Sequence, residues 1–157
     1  MRFVLDSSVI IAAATPEEAM HASAANFLDH LRASLAAGDA RAFAPPELWL
    51  EVHVVEHKRT RTRRPTHAEG GAMAGLAVEL VSPADAAELT AFLALLVQRM
   101  RGRRPFANGT DLVYLWAAWS VDATVVTLDE GLVAYHGVVC DVTRPQHVRF
   151  GARRPPA

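Results

Sequence analysis

The sequence predicts an α/β fold in which a mostly parallel β-sheet is covered by helices on both faces. Three short apolar runs, at 2–5, 41–44 and 123–128, are too short for helices and are typical of buried strands. They lack the alternation of polar and apolar residues found when one face of a sheet meets water. Helix-forming segments separate these runs, which favours parallel strands joined by helical crossovers. In such folds the ligand site lies beyond the carboxyl ends of the strands.

Size and composition predict one domain. The chain has 157 residues, 51% of them hydrophobic, which is enough for a single core. We expect the domain to span residues 1–150 and residues 151–157 to form a frayed tail. Cys140 is the only cysteine, so a disulfide framework and a cysteine-based zinc site are excluded. No apolar run reaches the roughly 18 residues of a membrane span, and we expect a cytoplasmic protein with no membrane partner.

The first half of the chain is predicted to contain two strands and three helices. In order, these are a strand at 2–5, a helix at 9–14 capped by Ser7 or Ser8, a helix from Thr15 to Gly38, a strand at 41–44 and a helix from Glu47 to about Lys58. Thr15 is expected to cap the second helix because Pro16 and Glu18 complete a capping-box pattern. Pro45-Pro46 breaks the strand and begins the third helix.

The second half is predicted to continue the alternation of helices and strands. Its elements are a basic loop at 59–65, a weak helix after Thr66, a long helix from Ser82 to about Arg101, a helix from Asn108 or Thr110, a strand at 123–128, a short helix at 131–135 and a strand at 138–142. The long helix is expected to start at Ser82 because Pro83 follows it. Trp116 and Trp119 are expected to pack in the core or in a dimer contact rather than against bases.

Positive charge is concentrated in the middle of the chain. The net charge is −1, but residues 57–104 carry nine Lys and Arg against four acidic residues, whereas residues 1–56 carry three against eight. The first basic cluster contains Lys58, Arg59, Arg61, Arg63 and Arg64, and the second contains Arg99, Arg101, Arg103 and Arg104. Such clusters either bind phosphates or form a solvated surface, and the sequence leaves both interpretations open.

Carboxylates occur where the predicted fold would place a ligand site. Asp6 and Asp129 each follow a predicted strand, so both should lie at the carboxyl edge of the sheet. Asp111 lies in the first turn of a helix, where it either belongs to the site or only stabilises the helix start. Glu47 is expected to be a solvated first-turn acid. Glu51, one turn later and between apolar neighbours, is the stronger candidate for the site.

Several carboxylates in one pocket repel one another and need a cation to stay ionised at neutral pH. Oxygen ligands without cysteine or clustered histidine favour Mg²⁺ or Mn²⁺ over Zn²⁺. Such ions activate water and neutralise the charge of a phosphodiester under attack. A pocket of acids beside basic clusters therefore predicts metal-dependent hydrolysis of phosphodiesters.

Four segments, in order along the chain, resemble the PIN-domain ribonucleases, and the size of the chain is similar to that of the toxins in VapBC-type toxin–antitoxin pairs. The segments are 3–8, 45–52, 110–118 and 126–132. The resemblance implies a PIN-like three-layer α/β/α sandwich and an endoribonuclease that depends on Mg²⁺ or Mn²⁺. It also implies RNA as substrate, a small antitoxin protein as partner and a homodimer.

The resemblance also implies roles for particular residues. The catalytic acids would be Asp6, Glu51, Asp111 and Asp129, of which Asp6, Asp111 and Asp129 would bind the metal. Ser8 and Thr127 would assist as hydroxyl groups at the substrate site. Independently of the resemblance, the second basic cluster predicts that Arg101, Arg103 and Arg104 bind the phosphates of the RNA substrate. The choice between Glu47 and Glu51, which are four residues apart on one helix face, stays open. The number of metal ions stays open as well.

Other functions fit the sequence less well. A haloacid-dehalogenase phosphatase needs a second aspartate two residues after its nucleophile, where this chain has Ser8. A response-regulator receiver needs a lysine after its last strand, but Lys58 is the only lysine. His53 and His57 have helical metal-pair spacing, yet we expect them to be surface residues. The main alternative is a non-catalytic PIN-like module that binds RNA or protein.

Overall fold

Five parallel strands form the central sheet of the computed structural model, which describes residues 1–60, 72–83, 85–100 and 109–151. The strands are β1 (Arg2–Leu5), β2 (Arg41–Ala44), β3 (Val78–Leu80), β4 (Thr124–Val126) and β5 (Val142–Thr143). Their order across the sheet is β3-β2-β1-β4-β5, and every neighbouring pair is parallel. All the carboxyl ends therefore lie at one edge of the sheet.

Helices connect the strands and complete the α/β/α sandwich. Within the described ranges they are α1 (Ser7–Ala13), α2 (His21–Ala36), α3 (Glu47–Thr60), α4 (Ala86–Arg99), α5 (Gly109–Ser120) and α6 (Glu130–Val133), with a 3₁₀ turn at Pro145–His147. The α1 helix packs against α2 and α3, whereas α5 packs against β1, β2 and β4. The predicted fold class is confirmed, and the sheet is parallel throughout its described strands.

The core lies around β1, the middle strand. Val4, Leu5, Val125 and Val126 of β1 and β4 are fully buried. Leu115 lies on α5, which packs against both strands, and is fully buried as well. Burying aliphatic side chains of this size stabilises the fold by about 1.5–3 kcal/mol each. The candidate acids at the ends of β1 and β4 thus follow fully buried strand residues.

The predicted start of the second helix is wrong. The α2 helix begins at His21, and residues 15–20 form turns. The Thr15 hydroxyl donates a hydrogen bond to the carbonyl of Ile11 at 2.6 Å, and the Thr15 N–H bonds to Ala12. Thr15 therefore satisfies carbonyl groups at the end of α1 instead of N–H groups at the start of α2.

Three further elements differ from prediction. The β3 strand was not predicted, and the last strand begins at Val142 because the chain turns at Gly137, which has a φ of +74°. The long helix is capped by Asp85 and not by Ser82, since the Asp85 carboxylate accepts a hydrogen bond from the Glu88 N–H at 3.0 Å.

Some predictions fall outside the described residues. These are most of the basic loop at 59–65, the helix start after Thr66, the arginines at 101, 103 and 104, and residues 152–157 of the tail. The single domain over 1–150 stays a prediction.

His53 and His57 are exposed, as expected, and Trp116 is a core residue. No helix in the part of the chain that the structure describes is long and apolar enough to cross a bilayer.

Candidate active site

Asp6 lies at the carboxyl end of the central strand. Its N–H donates to the carbonyl of Val126 at 3.1 Å, so the pairing of β1 with β4 continues as far as this residue. Only 5% of Asp6 is exposed. A buried carboxylate needs hydrogen-bond donors. The residues that supply them to Asp6 follow the ends of β1 and β4.

Two hydroxyl groups donate to the same oxygen of Asp6. The Thr127 hydroxyl donates to Oδ2 at 2.6 Å, and the Ser8 hydroxyl donates to that atom too. Each hydroxyl also accepts a backbone N–H, from Leu128 at 3.0 Å for Ser8 and from Asp129 at 2.9 Å for Thr127. Because these N–H groups use a lone pair of each hydroxyl oxygen, the hydroxyl protons point toward Asp6.

This network fixes β1 against β4 and revises one predicted role. Thr127 is fully buried, with its oxygen bonded on both sides. We expected Thr127 to contact substrate, but its burial favours positioning of Asp6 instead. Ser8 is half-buried and makes the equivalent bond.

Asp129 caps the short helix α6. Its Oδ1 accepts the N–H of Gly131 at 2.5 Å, which is the standard role of an N-cap aspartate. A β-carbon on Gly131 would lie 2.9 Å from this oxygen. Asp129 itself is exposed, so glycine at position 131 lets an accessible carboxylate lie close to the backbone.

Glu51 reaches the site from α3 and is bonded to a residue of α5. The Tyr114 hydroxyl donates to Glu51 Oε2 at 2.8 Å, across 63 residues of sequence. Burial raises the pKa of Tyr114 far above its usual value, and the charges of Asp6 and Glu51 raise it further. The phenol therefore stays protonated and acts as a donor. No sequence pattern marked Tyr114 as a site residue, although it lies three residues after Asp111 on the same helix.

The negative charges of Glu51 and Asp129 both act on Asp6. Burial raises the pKa of Asp6, and the negative charges of Glu51 and Asp129 raise it further. The hydrogen bonds from Ser8 and Thr127 oppose this rise. The three carboxylates, which come from distant parts of the sequence, thus share one electrostatic environment at the carboxyl edge of the sheet.

Asp111 begins the helix that supplies Tyr114. It is half-buried in the first turn of α5. Residues three apart lie on the same side of a helix, so Asp111 and Tyr114 share a face of α5. Asp111 is assigned to the site because it shares this helix face with Tyr114 and because the sequence pattern predicts it.

Glu47 is not the solvated acid that we expected. It is half-buried, and its Oε2 atom is buried without a hydrogen bond to any described residue. The negative charge of Glu51 raises the pKa of Asp6, and Glu51 also accepts the hydrogen bond from Tyr114. The electrostatics therefore favour Glu51 over Glu47 as the site residue of α3.

The donor chemistry of the site fits a hard divalent cation. Asp6, Glu51 and Asp129 are each held through one carboxylate oxygen, and the other oxygen makes no hydrogen bond within the described structure. As they stand, no three acidic, histidine or cysteine side chains among the described residues are grouped closely enough to hold an ion. Carboxylate oxygens are nevertheless the ligands that Mg²⁺ and Mn²⁺ prefer.

One arginine of the described chain lies at this edge. Arg144 directly follows β5 and forms an ion pair with Glu130, the residue after Asp129. The Glu130 side chain is largely exposed, at 74%. An exposed pair of this kind contributes at most about 1 kcal/mol, so an anion could compete for the guanidinium.

Comparison with known proteins identifies the fold. No known family model and no curated protein matches the sequence. Solved structures do match. VapBC2 from Rickettsia felis, bound to a DNA fragment from its promoter, has 14% identity and a TM-score of 0.66 over 92% of this chain and 98% of that one. The chain has a PIN-like fold of the VapC type.

Two further structures support the fold. VapBC-1 from nontypeable Haemophilus influenzae has 14% identity and a TM-score of 0.61, over 92% of this chain and 98% of that one. VapC20 from Mycobacterium tuberculosis, described as a toxin that cleaves the sarcin-ricin loop, has 15% identity and a TM-score of 0.52, over 84% of this chain and 93% of that one. At these identities the likeness establishes the architecture, whereas activity has to be argued from the site.

Proposed function

We propose that the chain is a metal-dependent endoribonuclease and the toxin of a toxin–antitoxin pair. One observation carries the proposal: Asp6 and Asp129 follow adjacent parallel strands at the carboxyl edge of a PIN-like sheet, where the Thr127 hydroxyl bonds both residues and the charge of Glu51 acts on Asp6. In α/β folds this edge is where ligands bind. A solved structure with the same fold is described as a toxin that cleaves the sarcin-ricin loop.

The acids would have different roles in the reaction. Asp6, Asp111 and Asp129 would hold Mg²⁺ or Mn²⁺, and Glu51 would either bind the ion or orient a water molecule. The chemistry that the bound ion supplies is activation of water and neutralisation of charge on the phosphodiester. The hydroxyls of Ser8 and Thr127 hold Asp6 in place. No serine or histidine is needed as a nucleophile.

RNA would be held by arginines around this edge. Arg101, Arg103 and Arg104 belong to the proposal on their sequence alone, and Arg144 joins them on its position beside Asp129. The guanidinium group matches phosphate oxygens in a bidentate geometry. Glu130 would give up its exposed ion pair with Arg144 when a phosphate binds.

The catalytic proposal is tested by cleavage of a mixed RNA pool with Mn²⁺. Asp6→Asn and Asp111→Asn keep the side-chain shape but remove the charge, so each is expected to abolish cleavage while the fold remains. Glu51→Gln is expected to reduce cleavage strongly. Glu47→Gln is the matched control on the same helix and is expected to cleave as the wild type does.

Circular dichroism and thermal melts check that each variant is folded. If wild type and Asp6→Asn released the same fragments at the same rate, the activity would come from a contaminant and the proposal would fail. A wild type that binds RNA but neither binds Mn²⁺ nor cleaves would instead indicate a non-catalytic binding module.

The arginines are tested by the salt dependence of RNA binding to the cleavage-deficient Asp6→Asn protein. Each lost phosphate contact lowers the slope of log affinity against log salt by about 0.7 for single-stranded RNA. We expect Arg144→Gln to lower the slope by about one contact and the triple variant at 101, 103 and 104 by more. Arg41→Gln, on a residue paired with Glu79 at the amino end of β2, is the control. An unchanged slope would leave these arginines as solvated surface.

The partners are also part of the proposal. Two of the solved structures with this fold are VapBC complexes, which supports a small antitoxin as partner of this chain. An adjacent reading frame for a small protein that co-purifies with the chain and blocks RNA cleavage would establish it. We propose a homodimer from the resemblance alone, and light scattering of the purified chain measures it directly.

A further inference from the structure

Tyr114 connects two sides of the proposed site. It lies on α5, three residues after Asp111, and its hydroxyl reaches Glu51 Oε2 on α3 at 2.8 Å. The side chain is 1% exposed. A phenylalanine would fill the same space, so packing alone does not require the hydroxyl at this position.

The hydroxyl opposes a repulsion. Glu51 and Asp6 are close enough for the charge of Glu51 to affect Asp6, and repulsion between them favours rotation of Glu51 toward water. A hydrogen bond from a neutral donor to a carboxylate stabilises the charged form without adding a charge of its own. The buried phenol of Tyr114 is such a donor, 2.8 Å from Glu51 Oε2.

We propose that Tyr114 is a positioning residue of the nuclease site: its hydroxyl holds Glu51 beside Asp6 through Oε2 and leaves Oε1 available for the metal ion or for water. The inference rests on the proposed function. The same arrangement is seen at Asp6 and Asp129, where one carboxylate oxygen is bonded and the other has no hydrogen bond to a described residue.

The main test is Tyr114→Phe, with Tyr135→Phe as the matched control. Tyr135 is the other tyrosine of the chain and is equally buried, at 3% exposure. Loss of a residue that orients a metal ligand typically weakens metal affinity or activity by about 10–100-fold. In calorimetric titrations without RNA, we expect the Mn²⁺ dissociation constant to rise by about that factor in Tyr114→Phe and to stay unchanged in Tyr135→Phe.

RNA cleavage adds a second readout. Because the buried phenol does not reach RNA, we expect kcat to fall in Tyr114→Phe while KM stays unchanged. A residue that only packs the core would lower the unfolding midpoint without changing either constant of the folded enzyme.

A metal-free experiment tests the hydrogen bond itself. Urea unfolding in EDTA is compared for Tyr114→Phe, Glu51→Ala and the double variant. If the phenol holds Glu51, the double variant should lose less than the sum of the two single losses.

The outcomes separate the two proposals. If wild type binds Mn²⁺ and cleaves RNA but Tyr114→Phe does both equally well, the role of Tyr114 is overturned while the nuclease stands. Equal losses in Tyr114→Phe and Tyr135→Phe also overturn it. If wild type neither binds Mn²⁺ nor cleaves, the proposed function fails, and this inference fails with it.

Discussion

Single hydrogen bonds decide which carboxylate oxygens of the site are left available to bind a ligand. At Asp6, both hydroxyl donors converge on Oδ2, and each is oriented by a backbone N–H behind it. Removing one hydroxyl would leave a buried carboxylate with fewer donors, a loss of about 1–3 kcal/mol. Ser8 and Thr127 therefore contribute to stability and to the orientation of Asp6 at the same time.

The first prediction concerns Gly131→Ala. The new β-carbon would lie 2.9 Å from Asp129 Oδ1, so the exposed carboxylate has to move. We expect loss of the capping bond to lower the free energy of unfolding by no more than about 1 kcal/mol. Cleavage is expected to fall by about 10–100-fold. Denaturant unfolding and RNA cleavage measure the two effects.

Gly151→Ala is the control for this prediction because, apart from its chain neighbours, no atom of the described residues lies within 4 Å of the place that the new methyl group would take. It is expected to match wild type in both assays. A Gly131→Ala protein with full activity would show that the position of the Asp129 carboxylate is not limiting.

At the scale of elements, each helix start depends on which side chain reaches the free N–H groups. Ser82 and Asp85 are three positions apart in the sequence, and both residue types are common N-caps. The structure uses Asp85, whose carboxylate accepts the N–H of Glu88. The backbone of Asp85 is extended, with φ −158° and ψ 179°, which marks the first position outside the helix.

The second prediction follows from this cap. Asp85→Ala is expected to lower the free energy of unfolding by about 1 kcal/mol, because one N–H group at the start of α4 loses its partner. Ser82→Ala is the matched control and is expected to change it by less than about 0.5 kcal/mol. Urea unfolding followed by circular dichroism measures both. Equal effects would place the helix start at Ser82.

Element boundaries show where local sequence is insufficient. The sequence predicts β1, β2 and β4 because each is a buried apolar run. It misses β3, in which Glu79 and Leu80 are exposed and the strand exists through pairing with β2. The apolar run at 138–140 resembles a strand, but the turn at Gly137 delays pairing until Val142. Short edge strands depend on their neighbours more than on their own residues.

At the scale of the whole molecule, parallel topology collects acids that are far apart in sequence. Asp6 and Asp129 follow adjacent strands, β1 and β4, whose paired residues include Leu5 and Val126. Repulsion among these carboxylates destabilises the folded state when no cation is bound. A bound divalent ion would remove that cost and stabilise the folded state by mass action.

The third prediction is therefore an increase in thermal stability with Mn²⁺. At about 100 times its dissociation constant, a ligand stabilises the folded state by about 2.7 kcal/mol. For a chain of this length that raises Tm by about 5–10 °C. Melts with Mn²⁺ and with EDTA measure it. Asp6→Asn should show no increase in Tm. A wild-type Tm that does not change in millimolar Mn²⁺ would contradict a shared metal site.

The sequence by itself determined the fold class, the central strands and the acids that follow them, because buried apolar runs and strand-end carboxylates are local features. Only the tertiary structure decided how the acids are held. Thr127 bonds Asp6 across 121 residues, and Tyr114 bonds Glu51 across 63. The burial of Glu47 likewise depends on what packs over α3. Burial and hydrogen-bond partners arise from chain segments brought together by folding, and no local pattern contains them.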